Sequence, residues 1–188
     1  MATGGGSNAE ALVNYFQGHA QVHVVGVWSN RANAGVLTRG LQVPCHAMKH
    51  GDSNLIETWR QQGVHALVLA GYLKAIPDAW IEAFGGKIYN IHPALLPKYG
   101  GKGMYGMHIH RAVVAAGDAE SGLTIHKVTT NYDEGPQLFQ MRTNIEGLDP
   151  EGVASKVLKG EHWALPRVIE AELTGAAMPD ELPEGWHK

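Results

Sequence analysis

Residues 87–97 have the sequence KIYNIHPALLP, and this stretch decides how the fold is interpreted. Its first half, Lys87–His92, has the composition and alternation typical of a β-strand. The two prolines that follow cannot continue a hydrogen-bonded ladder, so the chain leaves the sheet there. Period-two alternation places the side chains of Asn90 and His92 on the same side of the strand. The stretch therefore predicts an amide and an imidazole together at the carboxyl end of a strand, where open α/β sheets bind ligands.

Strand-like and helix-like stretches alternate around this motif. Short apolar or alternating runs predict further strands at Gln21–Trp28, Val64–Ala70, Ser121–Val128 and Gln137–Arg142. Helical patterns, most of them closed by glycine, predict helices at Asn8–Gln17, Ala34–Arg39, Asn54–Gln62, Pro77–Phe84 and about Pro150–Leu173. Alternating strands and helices need crossover connections, so the sequence predicts a doubly wound α/β fold with a mostly parallel sheet.

One domain is expected over residues 1–188, with a core to about residue 177 and a C-terminal tail over 178–188. No internal repeat, low-complexity tract or domain-sized linker divides the chain. Its 44% hydrophobic and 18% charged residues are close to the averages of globular domains. A chain of this length buries roughly 70% of its unfolded surface, so a core can form without disulfides or metal ions.

Charge and cysteine content bound the possible partners. Fifteen basic and eighteen acidic residues give a formal net charge of −3, which provides no general attraction for nucleic acid or an anionic membrane. No apolar run approaches the ~20 residues that span a bilayer. Cys45 is the only cysteine, so no internal disulfide can form. We therefore expect a cytoplasmic protein, a monomer or homodimer, that binds small molecules but neither nucleic acid nor membranes.

The chain starts with a glycine-rich segment, Gly4–Asn8 (GGGSN), directly before a helical pattern. Glycine lets the backbone approach a ligand closely, and the free N–H groups of a helix N-terminus bind anions, so a phosphate site is predicted. A flexible glycine–serine linker is the alternative. A dinucleotide site is another, because Gly4, Gly6 and Ala9 fit a loose form of that fingerprint and Arg31 could meet a 2′-phosphate.

A carboxylate further along the chain can complete the polar pair. Asp133 lies in the segment Tyr132–Pro136 (YDEGP), on a predicted loop between two strands. A carboxylate beside an imidazole favours the charged ring and fixes its orientation. Without such a partner, Asn90 and His92 would be interpreted as a capping amide and a satisfied core histidine.

The motif NIHPALLP followed by DEGP resembles the signature of the folate-dependent formyltransferases, and the resemblance covers nearly the whole chain. The glycine-rich start, the segment Gly100–His108 (GGKGMYGMH) and Glu161 resemble the branch that acts on glycinamide ribonucleotide. The resemblance implies the Rossmann-like fold of these enzymes. It also implies transfer of a formyl group from 10-formyltetrahydrofolate, as co-substrate, to the amine of that ribonucleotide in de novo purine biosynthesis. No metal is implied.

The resemblance also implies a role for individual residues. Asn90 and a protonated His92 would stabilise the tetrahedral oxyanion, and Asp133 would support His92 and proton transfer. The phosphate of the ribonucleotide would be bound by Gly6, Ser7 and Asn8, and its ribose by Glu161. The residues expected to bind folate are Leu73, Lys74, Ala75, Ile76, Asn90, Thr129, Thr130, Asn131, Tyr132 and Asp133.

Other histidines carry less information. His108 and His110 could suggest a metal site, but residues i and i+2 do not share a helix face and no third ligand has suitable spacing, so no metal site is predicted. His126 is predicted to lie on a strand near the proposed site. It could be a partner of that site, but the interpretation favoured by the sequence is a buried, satisfied histidine.

Some features depart from the family pattern. Members begin with a hydrophobic strand, whereas only Met1, Ala2 and Thr3 precede the glycines here. We therefore expect the first strand to be missing, with exposed edges on its neighbours and an unseated phosphate loop. Asn54 and Leu158 also differ from the pattern. A hydrolase that releases formate from the same folate, a dinucleotide-binding module and an inactive relative remain as alternative functions.

Overall fold

The computed structural model describes residues 1–188, and its strands form two neighbouring sheets. The helices are α1 (Ser7–Tyr15), α2 (Asn54–Gln61), α3 (Asp78–Phe84), α4 (Met107–Ala115) and α5 (Pro150–Thr174), with a 3₁₀ turn at Gly35–Thr38. The strands are β1 (Val27–Ser29), β2 (Cys45–Ala47), β3 (Leu67–Leu69), β4 (Ile88–His92), β5 (Glu120–Lys127) and β6 (Gln137–Asn144).

The first four strands form parallel pairs, β1 with β2 and β3 with β4. The sheet then continues in the order β3-β4-β5-β6, with antiparallel pairs between β4 and β5 and between β5 and β6. The predicted α/β fold is confirmed, and the two last strands add its antiparallel part. No helix is both long enough and apolar enough to cross a membrane.

Helices cover both faces of the sheets. In β4, Tyr89 and Ile91 face the main core, where α1, α4 and α5 pack, whereas Ile88 belongs to a second cluster with Trp59 and Trp80 on the other side. This is the period-two alternation expected of a strand buried on both faces. Helix α5 is held at its start by the carboxylate of Asp149, which accepts a hydrogen bond of 2.7 Å from the backbone N–H of Gly152.

Four elements differ from the prediction. The helix predicted at Ala34–Arg39 is only a 3₁₀ turn over Gly35–Thr38. The strand predicted at Gln21–Trp28 begins only at Val27, because residues 23–26 make no backbone hydrogen bonds to a neighbour. An apolar alternating pattern predicts an extended conformation, but a strand also needs a partner. Strand β2 and helix α4 were not predicted. Helix α4 begins after Gly106 without a side-chain cap and carries two histidines, so the usual start signals are absent.

The first three residues join the two sheets. The N–H of Ala2 donates to Trp28 O (3.1 Å), and on the other side the N–H of Ala70 donates to Met1 O (2.8 Å). Thr3 N–H donates to Gly71 O (3.0 Å). Residues 1–3 therefore occupy the carboxyl end of the position expected for a first strand.

An apolar groove of about 360 Å³ continues that position away from Met1. It lies between residues 21–28 and 63–68, above Leu12, Phe16 and Ile169. Exposed backbone edges are present there, as expected, because residues 23–26 and Ala66 make no backbone hydrogen bonds. The glycine loop keeps its place, contrary to expectation, because Val36 N–H donates to Gly4 O (3.0 Å) and Arg39 donates to Gly5 O (2.9 Å).

The segment 178–188 lies against the core. Met178, Leu182 and Trp186 pack against the main cluster, and Trp186 lies so close to Gly160 that a Cβ there would be 2.5 Å from its ring. His187 exchanges backbone hydrogen bonds of 2.9 and 3.0 Å with Arg142. The last residues therefore extend the edge of β6.

Candidate active site

The end of β4 brings the predicted polar residues together. Asn90 and His92 pair in register with His126 and Thr124 of β5, and Asp133 reaches them from the β5–β6 loop. Asp133 Oδ2 lies 3.6 Å from His92 Nδ1, and Asp133 Oδ1 lies 3.4 Å from Asn90 Nδ2. The three side chains predicted from two separate motifs therefore form one cluster.

Asp133 is held in a strained loop with its carboxylate directed inward. Its φ of 57° lies in the left-handed region, which few non-glycine residues adopt, and its Oδ2 accepts a hydrogen bond of 2.9 Å from the N–H of Gly101. Burial alone would raise the pKa of Asp133. The pKa of Asp133 is nevertheless lowered, and the hydrogen bond from the Gly101 N–H is one of the contacts that stabilise the charged form, so the carboxyl is ionised.

His92 is buried, and its Nε2–H donates a hydrogen bond of 2.7 Å to the carbonyl of Tyr99. Burial lowers the pKa of His92, and the opposing charge of Asp133 does not compensate for it. The ring is therefore neutral near pH 7 in the protein without substrates. Burial thus favours the neutral ring, whereas the role predicted for His92 needs a protonated one. The sequence reveals the carboxylate partner but not how deeply the imidazole is buried.

A second polar cluster lies at the start of α1. Gly6 precedes the helix with a φ of 77°, and any Cβ there would overlap Val36. Asn8 Nδ2 donates a hydrogen bond of 3.1 Å to Glu161 Oε2, while Asn8 Oδ1 has no partner. Burial raises the pKa of Glu161 to about 7, although the Asn8 bond opposes this. No side chain caps α1, so its first N–H groups are free to bind an anion.

Both clusters open into one cavity of about 690 Å³. Asn8 and Glu161 line one part of it, while Gly6 and Ser7 lie beside Asn8 outside the lining. All ten residues expected to bind folate line it: Leu73, Lys74, Ala75, Ile76, Asn90, Thr129, Thr130, Asn131, Tyr132 and Asp133. Of the two departures from the family pattern, Leu158 lines the cavity and Asn54 does not.

Sequence reasoning missed several lining residues. Met104 and Tyr105, from the glycine-rich segment before α4, form part of the wall, and Tyr105 is exposed at its rim. His110 also lines the cavity, is only 6% exposed, and has no partner for its Nδ1. No sequence signal distinguishes His110 from other core histidines, because its position depends on how α4 packs.

With this geometry in place, comparisons with known proteins become informative. A model of the formyl transferase family matches residues 1–169. The chain belongs to this family. Phosphoribosylglycinamide formyltransferase of Escherichia coli (strain K12) is 30% identical over 181 residues, which cover 90% of this chain and 83% of that protein.

Two further phosphoribosylglycinamide formyltransferases from plants and one bacterial structure are also similar to this chain. The chloroplastic phosphoribosylglycinamide formyltransferase of Arabidopsis thaliana is 46% identical over 120 residues, 63% of this chain. The matched part spans 41% of that protein and 38% of its Vigna unguiculata counterpart. The crystal structure of phosphoribosylglycinamide formyltransferase from Brucella melitensis superposes with a TM-score of 0.81 at 30% identity, covering 95% of this chain and 96% of that one.

Proposed function

We propose that the protein transfers the formyl group of 10-formyltetrahydrofolate to the amine of glycinamide ribonucleotide, a step of de novo purine biosynthesis. The observation that carries the proposal is one cavity lined by the Asn90–His92–Asp133 cluster, by Asn8 of the uncapped first turn of α1, and by the stretch Leu73–Ile76. Relatives of similar length in the formyl transferase family bear the name of this activity.

The two ends of the cavity suit the two substrates. The phosphate of the ribonucleotide would bind at the N-terminus of α1, next to Gly6, Ser7 and Asn8, through backbone N–H groups. Glu161, whose Oε2 already accepts a hydrogen bond from Asn8 Nδ2, would also accept hydrogen bonds from ribose hydroxyls. The pterin ring would lie against Thr129–Asp133 and Leu73–Ile76, two stretches that line the cavity with both polar and apolar residues.

The cluster can support attack of an amine on a formyl carbon. A C–N bond forms to the amine, an oxyanion develops on the formyl oxygen, and the bond to the folate nitrogen then breaks. An N–H of Asn90 would stabilise the oxyanion. The developing negative charge would raise the pKa of the neutral His92, so the ring takes up a proton from solvent as the intermediate forms and returns it to solvent as the intermediate collapses. Asp133 stabilises the ring while it is charged.

A proton must also pass from the attacking amine to the folate nitrogen. The 3.6 Å separation between His92 Nδ1 and Asp133 Oδ2 is too long for a direct hydrogen bond and leaves the carboxylate open to a bridging water. Asp133 would accept the proton through that water and return it to the leaving nitrogen. The residues supply this chemistry without any metal ion.

Absorbance-monitored loss of the formyl group from 10-formyltetrahydrofolate tests the proposal. We expect turnover only when glycinamide ribonucleotide is present, and a loss of about a hundred- to a thousandfold in His92→Ala. Turnover without the ribonucleotide would instead indicate the hydrolase. No turnover from folded protein would indicate an inactive relative, and stabilisation by NADP rather than by folate analogues would indicate a dinucleotide-binding module.

A further inference from the structure

His126 pairs with Asn90 in the β4–β5 ladder and is only 2% exposed. Its Nε2 is 3.0 Å from Asn90 Nδ2, and its Nδ1 is 2.9 Å from the carbonyl oxygen of Lys127. The pairing of β5 with β6 is irregular at Ile125 and His126, and such bulges commonly redirect side chains beside active sites. The two distances show that each ring nitrogen of His126 has a defined hydrogen-bond partner.

These partners select one tautomer of His126. The Lys127 carbonyl can only accept a hydrogen bond, so Nδ1 must carry the proton. In a neutral ring Nε2 is then an acceptor, and the Asn90 amide nitrogen donates to it. The other tautomer would place two donors face to face at Asn90 and two acceptors face to face at Lys127.

The same contacts fix which end of the Asn90 amide faces His126. The Nδ2 atom lies between His126 Nε2 and Asp133 Oδ1, both of which accept hydrogen bonds. Turning the amide over would direct its oxygen at the carboxylate. One N–H of Nδ2 is therefore taken by His126 at 3.0 Å, whereas the other has only a 3.4 Å contact with Asp133 and remains available.

We propose that His126 is a positioning residue: it holds the Asn90 amide so that the second N–H meets the oxyanion. The functional part of this inference rests on the proposed role of Asn90, whereas the hydrogen-bond arrangement does not. His126 does not touch the reacting atoms. Its contribution is to keep a donor at the geometry in which it stabilises charge, and a misplacement of about 1 Å can lower a rate about a hundredfold.

The alternative arrangement of this cluster has His126 Nε2 as a donor and not as an acceptor. Asp133 Oδ1 lies 3.5 Å from His126 Nε2, so a charged His126 would donate to Asp133 instead of accepting from Asn90. The contact with Asn90 is shorter by half an ångström, because the distances are 3.0 and 3.5 Å. The neutral ring that accepts from the amide is therefore the better match to the geometry.

Two near-isosteric variants separate the functions of the two ring nitrogens. In His126→Asn the side-chain amide reaches only the Nδ1 position, so the bond to Lys127 can be kept while the acceptor for Asn90 is lost. In His126→Gln an amide oxygen can occupy the Nε2 position and restore that acceptor. We expect kcat to fall about 10- to 100-fold in His126→Asn, with both KM values within about twofold, and most of that loss to be recovered in His126→Gln.

Equal losses in both variants, or a loss confined to KM, would overturn the positioning role. Thermal unfolding of each variant shows whether it folds. In an Asn90→Ala background, His126→Asn should lower kcat by less than about threefold, because the amide that His126 positions is gone. Independent, multiplicative losses would contradict the proposal.

Nitrogen-15 NMR of the full chain tests the arrangement without any activity. We expect the proton of the His126 ring on Nδ1, and a scalar coupling between Nε2 and an Asn90 side-chain proton. A proton on Nε2, or a charged ring, would overturn the inference. This readout also separates two failures: wild-type protein with the expected tautomer but no formyl transfer would contradict the proposed function and leave the hydrogen-bond arrangement intact.

Discussion

Two cavities of this molecule differ in which of their polar groups lack a hydrogen-bond partner. In the 690 Å³ cavity the unpaired polar groups, such as Asn8 Oδ1 and His110 Nδ1, are buried atoms of side chains that line it. In the 360 Å³ groove they belong to the backbone: residues 23–26 and Ala66 make no backbone hydrogen bonds, and the walls are apolar. The first cavity has the chemistry of a substrate site, and the second has that of an open strand position.

The N-terminal amine of Met1 is a further polar group at the groove, and it shows the same difference between the two cavities. It lies at the end of the groove and donates a hydrogen bond of 2.5 Å to Val68 O, and burial lowers its pKa to about 5. An amide N–H could make the same bond without a charge. The amine is therefore buried as a neutral group at the end of an apolar groove, whereas the cluster of Asn90, His92 and Asp133 contains an ionised carboxylate with hydrogen-bond partners.

The largest effect should follow from Asp133→Asn. This variant keeps the shape of the side chain but removes the charge that stabilises a protonated His92, and we expect kcat/KM to fall about a hundred- to a thousandfold. Steady-state formyl transfer measures it. Glu134→Gln on the same exposed loop is the matched control and should change kcat/KM by less than about threefold. Comparable losses in both variants would mean that loop structure, and not the carboxylate, is responsible.

Glu161→Gln should affect one substrate only. We expect the KM for the ribonucleotide to rise about 10- to 100-fold while the KM for the folate stays within about twofold, because Glu161 lies at the α1 end of the cavity. Initial rates with each substrate varied in turn measure both constants. An increase confined to the folate KM would reverse our assignment of the two ends.

The same variant has a pH-dependent effect on stability. The pKa of Glu161 is raised from 4.5 to about 7, so the folded state holds a proton that the unfolded state loses between these values. Stability therefore falls as pH rises through this window. Glu161→Gln should remove that decline and be more stable than wild type at pH 8, by up to about 3 kcal/mol, with no advantage at pH 4. Urea unfolding at several pH values would show it.

Filling the groove should stabilise the protein moderately. An apolar segment of about five residues joined to Met1 would pair with both exposed edges and pack on Leu12, Phe16 and Ile169. We expect the midpoint of thermal unfolding to rise by about 5–10 °C. A glycine–serine extension of the same length is the control. Equal shifts for the two extensions would show that the groove does not accept a strand.

Acetylation of the Met1 amine should have the smallest effect. Its pKa is lowered from 8.0 to about 5, so the unfolded state binds a proton in this range that the folded state does not, and stability rises with pH between these values. Acetylation should remove that rise and add about 1 kcal/mol at pH 7, or roughly 2–4 °C. Unfolding midpoints of the free and acetylated chains from pH 5 to 8 measure it, and parallel curves would contradict the burial of a neutral amine.

The sequence predicted the polar cluster well because Asn90 and His92 lie in one strand and Asp133 in one loop, so local spacing is sufficient. The contact between Asn8 and Glu161 joins residues 153 positions apart, and only the family resemblance indicated that they belong to the same site. The role of His126 depends on the register between β4 and β5, which the sequence does not specify. For the same reason the pattern at Gln21–Gly26 predicted a strand without revealing that its partner is absent.

Transfer of an isotope-labelled formyl group tests the central claim most directly. The folded protein is incubated with 10-formyltetrahydrofolate carrying ¹³C in the formyl group, together with glycinamide ribonucleotide, and the products are separated by mass spectrometry. We predict one labelled formyl group on the ribonucleotide amine for each folate consumed, and almost none with Asp133→Asn. Label recovered as free formate, at the same rate with and without the ribonucleotide, would contradict the account.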